Sequence, residues 1–131
     1  MRSWSTSTIR NRNLRNRSRA HGVHPQGSLV RLPDPTGAHE YRYAVVISDD
    51  NRPALEREHT VLCLSSQDHY AAPVTQLPFD WLRTGRLRQT TYVMPWAIYT
   101  IHPDTIQEHK GTLNEAGMNE VADAINGMVR P

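Results

Sequence analysis

At 131 residues the chain can bury one ordinary hydrophobic core but not two, which excludes a multidomain protein. Its single cysteine excludes a disulfide framework, and no apolar run approaches the roughly 20 residues of a membrane-spanning helix or follows the N-terminal arginines as in a secretory signal, so the sequence predicts a soluble, cytoplasmic protein that does not enter membranes. The net charge of +2 is small, but the basic residues are concentrated at one end of the chain.

The N-terminal segment, residues 1–26, is predicted to be an arm that is disordered unless it is bound, because it has too few apolar residues to form a core. It carries six arginines and neither lysine nor acid: Arg2, Arg10, Arg12, Arg15, Arg17 and Arg19. The other nine basic residues stand against all thirteen acids, so the remainder of the chain is mildly acidic. Segments of this kind usually bind phosphates, so we expect the six arginines to contact nucleic acid. The alternative is a solubilising tail.

Three strands are predicted at the beginning of the folded domain, which spans residues 27–131. Residues 28–32 form a short apolar segment that ends at a loop rich in proline and glycine. The β-branched run over residues 43–48 is typical of a central strand, and residues 60–66 have the same pattern. Cys63 lies in this third run, where a thiol is expected to be a buried apolar side chain rather than a nucleophile.

The second half of the domain is less clearly patterned until its end. Residues 68–75 are polar and are predicted to form a loop, whereas residues 79–82 fit either a turn of helix or a short strand. Two further strands are predicted over residues 90–94 and 97–101, with Pro95 marking a bend or bulge between them. The total is about five strands.

The C-terminus has the period of an amphipathic helix that packs on the strands. Its apolar residues fall at i, i+3, i+4, i+7, i+10 and i+11, and they are Met118, Val121, Ala122, Ile125, Met128 and Val129. We expect Asn114 to be the N-cap and the first four of these side chains to be largely buried. Gly117 and Gly127 lower the intrinsic stability of this helix, so packing must supply most of it.

The sequence has no pattern for binding a metal ion or a cofactor. Of the seven histidines, only His21 and His24 are spaced at i+3 or i+4 from another. Glycine-rich phosphate loops and nucleophile elbows are also absent. We therefore expect neither a metal ion nor a cofactor.

Several features follow one another in a specific order after residue 26. A short strand follows Gly27 and is succeeded by Pro35, Gly37, Glu40 and Arg42, and then by two apolar strands of which the second ends in Ser65, Ser66 and Gln67. With the later strands and the final helix, this order resembles the MazF/PemK family of toxin endoribonucleases over residues 27–129. The resemblance implies a mainly β (α+β) fold, a small SH3-like barrel of the CcdB/MazF type with a C-terminal amphipathic helix.

The resemblance also implies a site for cleaving RNA. The family's arginine at the start of the second strand corresponds to Arg42, which stays protonated and would clamp phosphoryl oxygens, and its hydroxyl residue after the third strand corresponds to Ser65. His39 and Glu40 are the nearest candidates for general base and acid, and Gln67 is expected to contact the RNA. Arg42 and Ser65 must then lie at the same end of neighbouring antiparallel strands.

Two functions are compatible with these observations, and RNA is the partner in both. The first is a metal-independent endoribonuclease that cuts single-stranded RNA, forms a homodimer and is inhibited by an antitoxin protein. The second is a catalytically silent barrel that is a structural subunit of a larger RNA–protein or viral assembly, such as a ribosome or a virion. The family resemblance favours the first function, and the arginine-rich arm favours the second.

Overall fold

The sheet and helix of the domain are built from residues 23–52, 54–66, 74–87 and 89–129, which the computed structural model describes. These residues form seven strands: β1 (Ser28–Pro33), β2 (Tyr41–Val46), β3 (His59–Ser65), β4 (Thr75–Gln76), β5 (Leu82–Gly85), β6 (Tyr92–Ile101) and β7 (Glu108–Leu113). The helix α1 (Glu115–Val129) follows. All neighbouring strands are antiparallel in the order β4-β6-β3-β2-β1-β7-β5, which gives a half-barrel.

The first three strands each contain a run of apolar residues, because both faces of the sheet are covered. Successive side chains in a strand point to opposite faces. Leu29, Val45 and Leu62 therefore pack on the face that α1 covers, together with Trp81. The residues next to these three in each strand point the other way and pack with Met94 on the opposite face. Cys63 is one of them, and it is fully buried as predicted.

Helix α1 begins as predicted, but its buried face is rotated from the predicted one. Asn114 caps the helix, since its Oδ1 accepts a hydrogen bond of 2.8 Å from the backbone N–H of Gly117. Val121 is buried, and Met118 and Ile125 are partly buried against the core, whereas the predicted burial of Ala122 is wrong because that residue is exposed. The rotation turns Gly117 toward the sheet, where a Cβ would lie only 2.5 Å from the Trp81 carbonyl oxygen.

The strands predicted over residues 90–94 and 97–101 are a single strand, β6. Its pairing with β3 shifts register between Leu62 and Leu64, and the irregularity accommodates Pro95, which has no N–H to donate to a ladder. The second strand begins at Tyr41, two residues before the predicted start, so Arg42 lies inside it. Strands β4, β5 and β7 were not predicted, because they are short or largely polar.

Residues 23–26, which the sequence assigns to the arm, contact the sheet. Val23 is buried, and the Gln26 side-chain amide donates a hydrogen bond of 2.8 Å to the Ile47 carbonyl oxygen. The six arm arginines and Gln67 lie outside the described residues. In the part of the chain that the structure describes, no helix has both the length and the apolar character needed to cross a membrane.

Candidate active site

The loop between β1 and β2 is organised by the side chain of Asp34. One carboxylate oxygen accepts hydrogen bonds from the backbone N–H of Thr36 (2.8 Å) and from its hydroxyl (2.7 Å), and the other accepts from the backbone N–H of His39 (2.9 Å). The same side chain is inaccessible to solvent. These bonds are those of an Asx turn, and they fold residues 34–40 back toward the start of β2.

Arg42 completes this arrangement from inside β2. Its Nε lies 3.2 Å from Asp34 Oδ1, and its Nη1 donates a hydrogen bond of 3.0 Å to the Leu64 carbonyl oxygen. Burial alone would raise the pKa of Asp34, but the hydrogen bonds from Arg42, Thr36 and His39 outweigh burial and hold that pKa well below its ordinary value. Asp34 and Arg42 are therefore a charged pair at neutral pH, and Arg42 is only 7% exposed.

Arg42 and Ser65 lie at the same end of neighbouring antiparallel strands, as the sequence resemblance requires. Strand β2 pairs with β3 through Ala44 opposite Cys63, and continuing this register places Arg42 opposite Ser65. Ser65 is also largely buried, with 8% of its surface exposed. The Arg42 hydrogen bond to Leu64, the residue before Ser65, fixes the two strand ends relative to each other.

The four predicted catalytic residues border one groove of about 640 Å³. Arg42 and Ser65 form its buried wall, and His39 and Glu40 are exposed at its edge. The structure thus brings together all four of these residues, although they come from a loop and two strands.

Further residues of the groove were not predicted as site residues, because they come from β7 and from the segment between β5 and β6. They are Arg86, Gln89, Thr91 and Lys110. Arg86 follows Gly85, Lys110 precedes Gly111, and the two glycines are opposite each other in the antiparallel pairing of β5 with β7. Their backbones approach so closely that a Cβ on Gly111 would lie 2.2 Å from the Thr84 carbonyl oxygen. No local pattern in the sequence reveals that pairing.

The positive charge of the groove comes mainly from Arg86 and Lys110. Arg42 and Asp34 neutralise each other, so as a pair they contribute little net charge. Lys110 Nζ lies 3.6 Å from a Glu108 carboxylate oxygen, whereas Arg86 is exposed and makes no ion pair with any residue of the described ranges. The edge of the groove therefore suits an anionic ligand.

The thiol of Cys63 does not contribute to this site. Burial raises the pKa of the Cys63 thiol to about 12, so this side chain is an inert apolar group, as predicted. Among the residues that the structure describes, no group of three or more histidine, cysteine, aspartate or glutamate side chains could hold a metal ion.

The match to a known family agrees with this geometry. A family model described as a PemK-like, MazF-like toxin of type II toxin-antitoxin systems matches residues 26–129. The chain belongs to this toxin family. The matched range agrees with residues 27–129, over which the order of sequence features resembles the MazF/PemK family, so that prediction is confirmed. No curated protein matches this toxin-family chain in sequence.

Solved structures of MazF toxins share the fold. An endoribonuclease in complex with its cognate antitoxin, from a mycobacterial species, gives a TM-score of 0.60 at 16% identity and covers 83% of this chain and 96% of its own. The MazE–MazF structure from Deinococcus radiodurans gives 0.59 at 18% identity, covering 82% and 95%. The Mycobacterium tuberculosis toxin MazF-mt6 gives 0.55 at 19%, covering 76% and 93%. These likenesses confirm the predicted fold class.

Proposed function

We propose that this toxin-family protein is a metal-independent endoribonuclease that cleaves single-stranded RNA in the groove beside the β1–β2 loop. The observation that carries the proposal is the position of Arg42 opposite Ser65 in a groove that Arg86 and Lys110 also line. Membership of the toxin family and the structural likeness to a mycobacterial endoribonuclease support it.

The reaction requires a base, an acid and stabilisation of charge at phosphorus. The ribose 2′-OH gives its proton to a base and attacks the adjacent phosphorus, while the bond to the 5′-oxygen breaks and that oxygen takes a proton. The products are a 2′,3′-cyclic phosphate and a 5′-hydroxyl. In this proposal His39 and Glu40, which line the groove, carry out the two proton transfers, and Ser65 holds a phosphoryl oxygen or the 2′-OH.

Arg42 acts in this proposal through a position that is fixed before RNA binds. Asp34 and the Leu64 carbonyl oxygen hold two of its nitrogens, so the guanidinium does not have to reorganise as charge develops on the phosphoryl oxygens. Arg86 and Lys110 attract the RNA backbone from the edge of the groove, where their charges are less neutralised.

An antitoxin protein and a second copy of the chain are the proposed protein partners. The mycobacterial and Deinococcus structures contain an antitoxin bound to a toxin of this fold. We infer that an antitoxin covers the groove of this protein and that the active form is a homodimer. The alternative of a silent subunit in an RNA–protein or viral assembly is not favoured, because the family match covers the whole described domain.

Cleavage of long single-stranded RNA in EDTA tests the proposal. The exposed residues His39 and Glu40 can be changed without disturbing the core, and we expect His39→Gln or Glu40→Gln to slow cleavage about 100-fold, the lower end of general acid–base catalysis. Glu56→Gln is the matched control, because Glu56 is exposed and does not border the groove. Mass spectrometry of the products should show the cyclic phosphate. Cleavage that requires an added metal ion, or a folded Arg42→Ala protein that cuts at the wild-type rate, contradicts the mechanism.

A further inference from the structure

A second cavity continues the groove of the candidate active site. It has a volume of about 620 Å³ and lies between the segment that follows β4 and the segment that precedes β6. Arg86, Leu87, Gln89 and Thr91 line both cavities. A flexible polymer bound at Arg42 and Ser65 would therefore pass directly from one cavity into the other.

The second cavity combines an apolar floor with an exposed aromatic ring and two amides. Leu77 and Trp81 are almost completely buried and form part of the floor. Phe79 also lines the cavity but is fully exposed to solvent, and the side chains of Gln76 and Gln89 are exposed beside it. A flat apolar surface flanked by amides matches a nucleobase, which stacks on aromatic rings and exchanges hydrogen bonds along its edge.

Arg86 lies at the junction of the two cavities. It is exposed, and no ion pair within the described ranges neutralises its guanidinium. A phosphate that links two nucleotides, one in each cavity, would pass this point. Arg83, in strand β5 of the same segment, is equally exposed but lines neither cavity.

We propose that the second cavity binds the base of a nucleotide that flanks the cleaved bond, with Phe79 as the stacking surface and Arg86 on the connecting phosphate. The inference rests on the proposed function, because it assumes that the groove binds RNA. A nucleotide is favoured over a protein partner as the occupant, because the cavity shares four lining residues with the groove in which the proposed function places the RNA.

Binding to matched oligomers with and without bases separates stacking from charge. The probes are a fluorescein-labelled 2′-O-methyl RNA 12-mer of randomised sequence, which lacks the nucleophilic hydroxyl, and an abasic phosphate oligomer of equal length and charge. Phe79→Ala should weaken RNA binding about tenfold and abasic binding hardly at all, because one base–aromatic stack is lost. Phe79→Trp should restore affinity. Arg86→Ala should weaken both oligomers equally, and more than Arg83→Ala does.

Each outcome of this experiment supports or overturns the base site. Equal loss of RNA and abasic binding in Phe79→Ala overturns it, as does no loss of either. A Phe79→Ala protein that keeps its RNA affinity but loses self-association in sedimentation assigns the surface to a protein interface instead. A wild-type protein that shows the Phe79 dependence but never cuts RNA refutes the proposed catalysis and leaves the base site intact. A wild-type protein that binds no RNA overturns both.

Discussion

A buried arginine is an unusual choice for contacting a ligand, and the surroundings of Arg42 explain it. An arginine on a mobile loop loses side-chain entropy when it binds a phosphate. Arg42 has already lost that freedom, because Asp34 and the Leu64 carbonyl oxygen fix its guanidinium in the wall of the groove. The cost of burying its charge is offset by Asp34, whose own carboxylate is satisfied by the loop.

Replacing Asp34 by asparagine should destabilise the fold by about 3 kcal/mol, because the buried Arg42 charge loses its partner. The pKa of Asp34 is lower in the folded chain than the value near 3.9 of an unfolded one, so its stabilising effect is complete above that pH and is lost as the pH falls through the folded pKa. Chemical denaturation between pH 7 and 2 should therefore show a shallower acid limb for Asp34→Asn. Asp49→Asn, at an exposed turn where the carboxylate accepts only from Asn51 N–H among the described residues, is the control. Equal denaturation midpoints for Asp34→Asn and wild type would contradict the prediction.

The parts of the site that could be predicted from sequence are those that lie close to the recognisable strands. Arg42 and Ser65 were placed by the order of features along the chain, and His39 and Glu40 by their nearness to Arg42. Arg86 and Lys110 could not be found in this way, because they meet only through the pairing of β5 with β7. The importance of Asp34 was also hidden, since its sequence context indicates only a turn.

Among the secondary-structure elements, three segments meet at a group of histidines that do not line the groove. The backbone N–H of His24 donates to His59 Nε2 at 2.9 Å, and His59 Nδ1 lies 3.0 Å from the Glu58 carbonyl oxygen. The His24 ring stacks on that of His109, with their Nδ1 atoms 3.3 Å apart. These contacts attach the segment before β1 to β3 and β7. They disfavour the protonated form of the three imidazole rings.

The stability of the protein should fall between pH 6.5 and 4 because of these histidines. Burial, and then the charges of His109 and His59, lower the pKa of His24 to about 4, and burial also lowers the pKa values of His59 and His109. The unfolded chain binds protons near pH 6.5, so stability is complete above that pH and is lost as the pH falls toward the folded pKa values. Urea midpoints measured at pH 7.5, 6 and 5 should decrease less for His24→Gln than for wild type. His39→Gln, which changes an exposed ring outside the cluster, should follow wild type, and parallel curves for all three proteins would refute the assignment.

Two glycines in α1 should respond to alanine in opposite directions. Alanine at Gly117 would place a Cβ 2.5 Å from the Trp81 carbonyl oxygen, so the helix must move away from the sheet at a cost of about 1–3 kcal/mol. Alanine at Gly127 meets nothing within 4 Å and should stabilise the helix by up to about 1 kcal/mol. Thermal denaturation of the two variants measures both effects. A stabilising Gly117→Ala would show that the helix does not approach Trp81 so closely.

Gly117 explains why the extent of helix α1 could be predicted more accurately than its orientation. Periodicity and the Asn114 cap identify where α1 begins and which residues are apolar, but the centre of the apolar pattern includes Ala122. Contact with the sheet is decided instead by where the backbones can approach, and that point is Gly117. The strands β4, β5 and β7 were hidden for a related reason, since their residues pair with other strands but have no alternating apolar pattern of their own.

Across the whole molecule, positive charge is concentrated in residues 1–26, which precede the folded domain. The folded domain is mildly acidic, yet its candidate site must attract a polyanion. Within the domain, Arg86 and Lys110 provide positive charge at the groove itself. The six arginines of residues 1–26 lie in a segment that contains no acidic residue. We propose that these arginines increase the local concentration of RNA at the domain, since phosphate contacts that release counterions act without regard to sequence.

Deleting residues 1–22 should therefore weaken RNA binding without altering the chemical step. The deletion must stop before Val23, because that side chain is buried and His24 bonds to His59. Each lost contact with single-stranded RNA lowers the slope of log K against log salt by about 0.7, so six arginines can account for a change of about 4 at most. Cleavage at saturating RNA should keep the wild-type rate, since the groove residues remain in place. A full-length variant with all six arginines changed to glutamine keeps the length of the segment and should match the deletion. If the slope is unchanged in both proteins, the arginines do not contact RNA and the segment acts only as a solubilising tail.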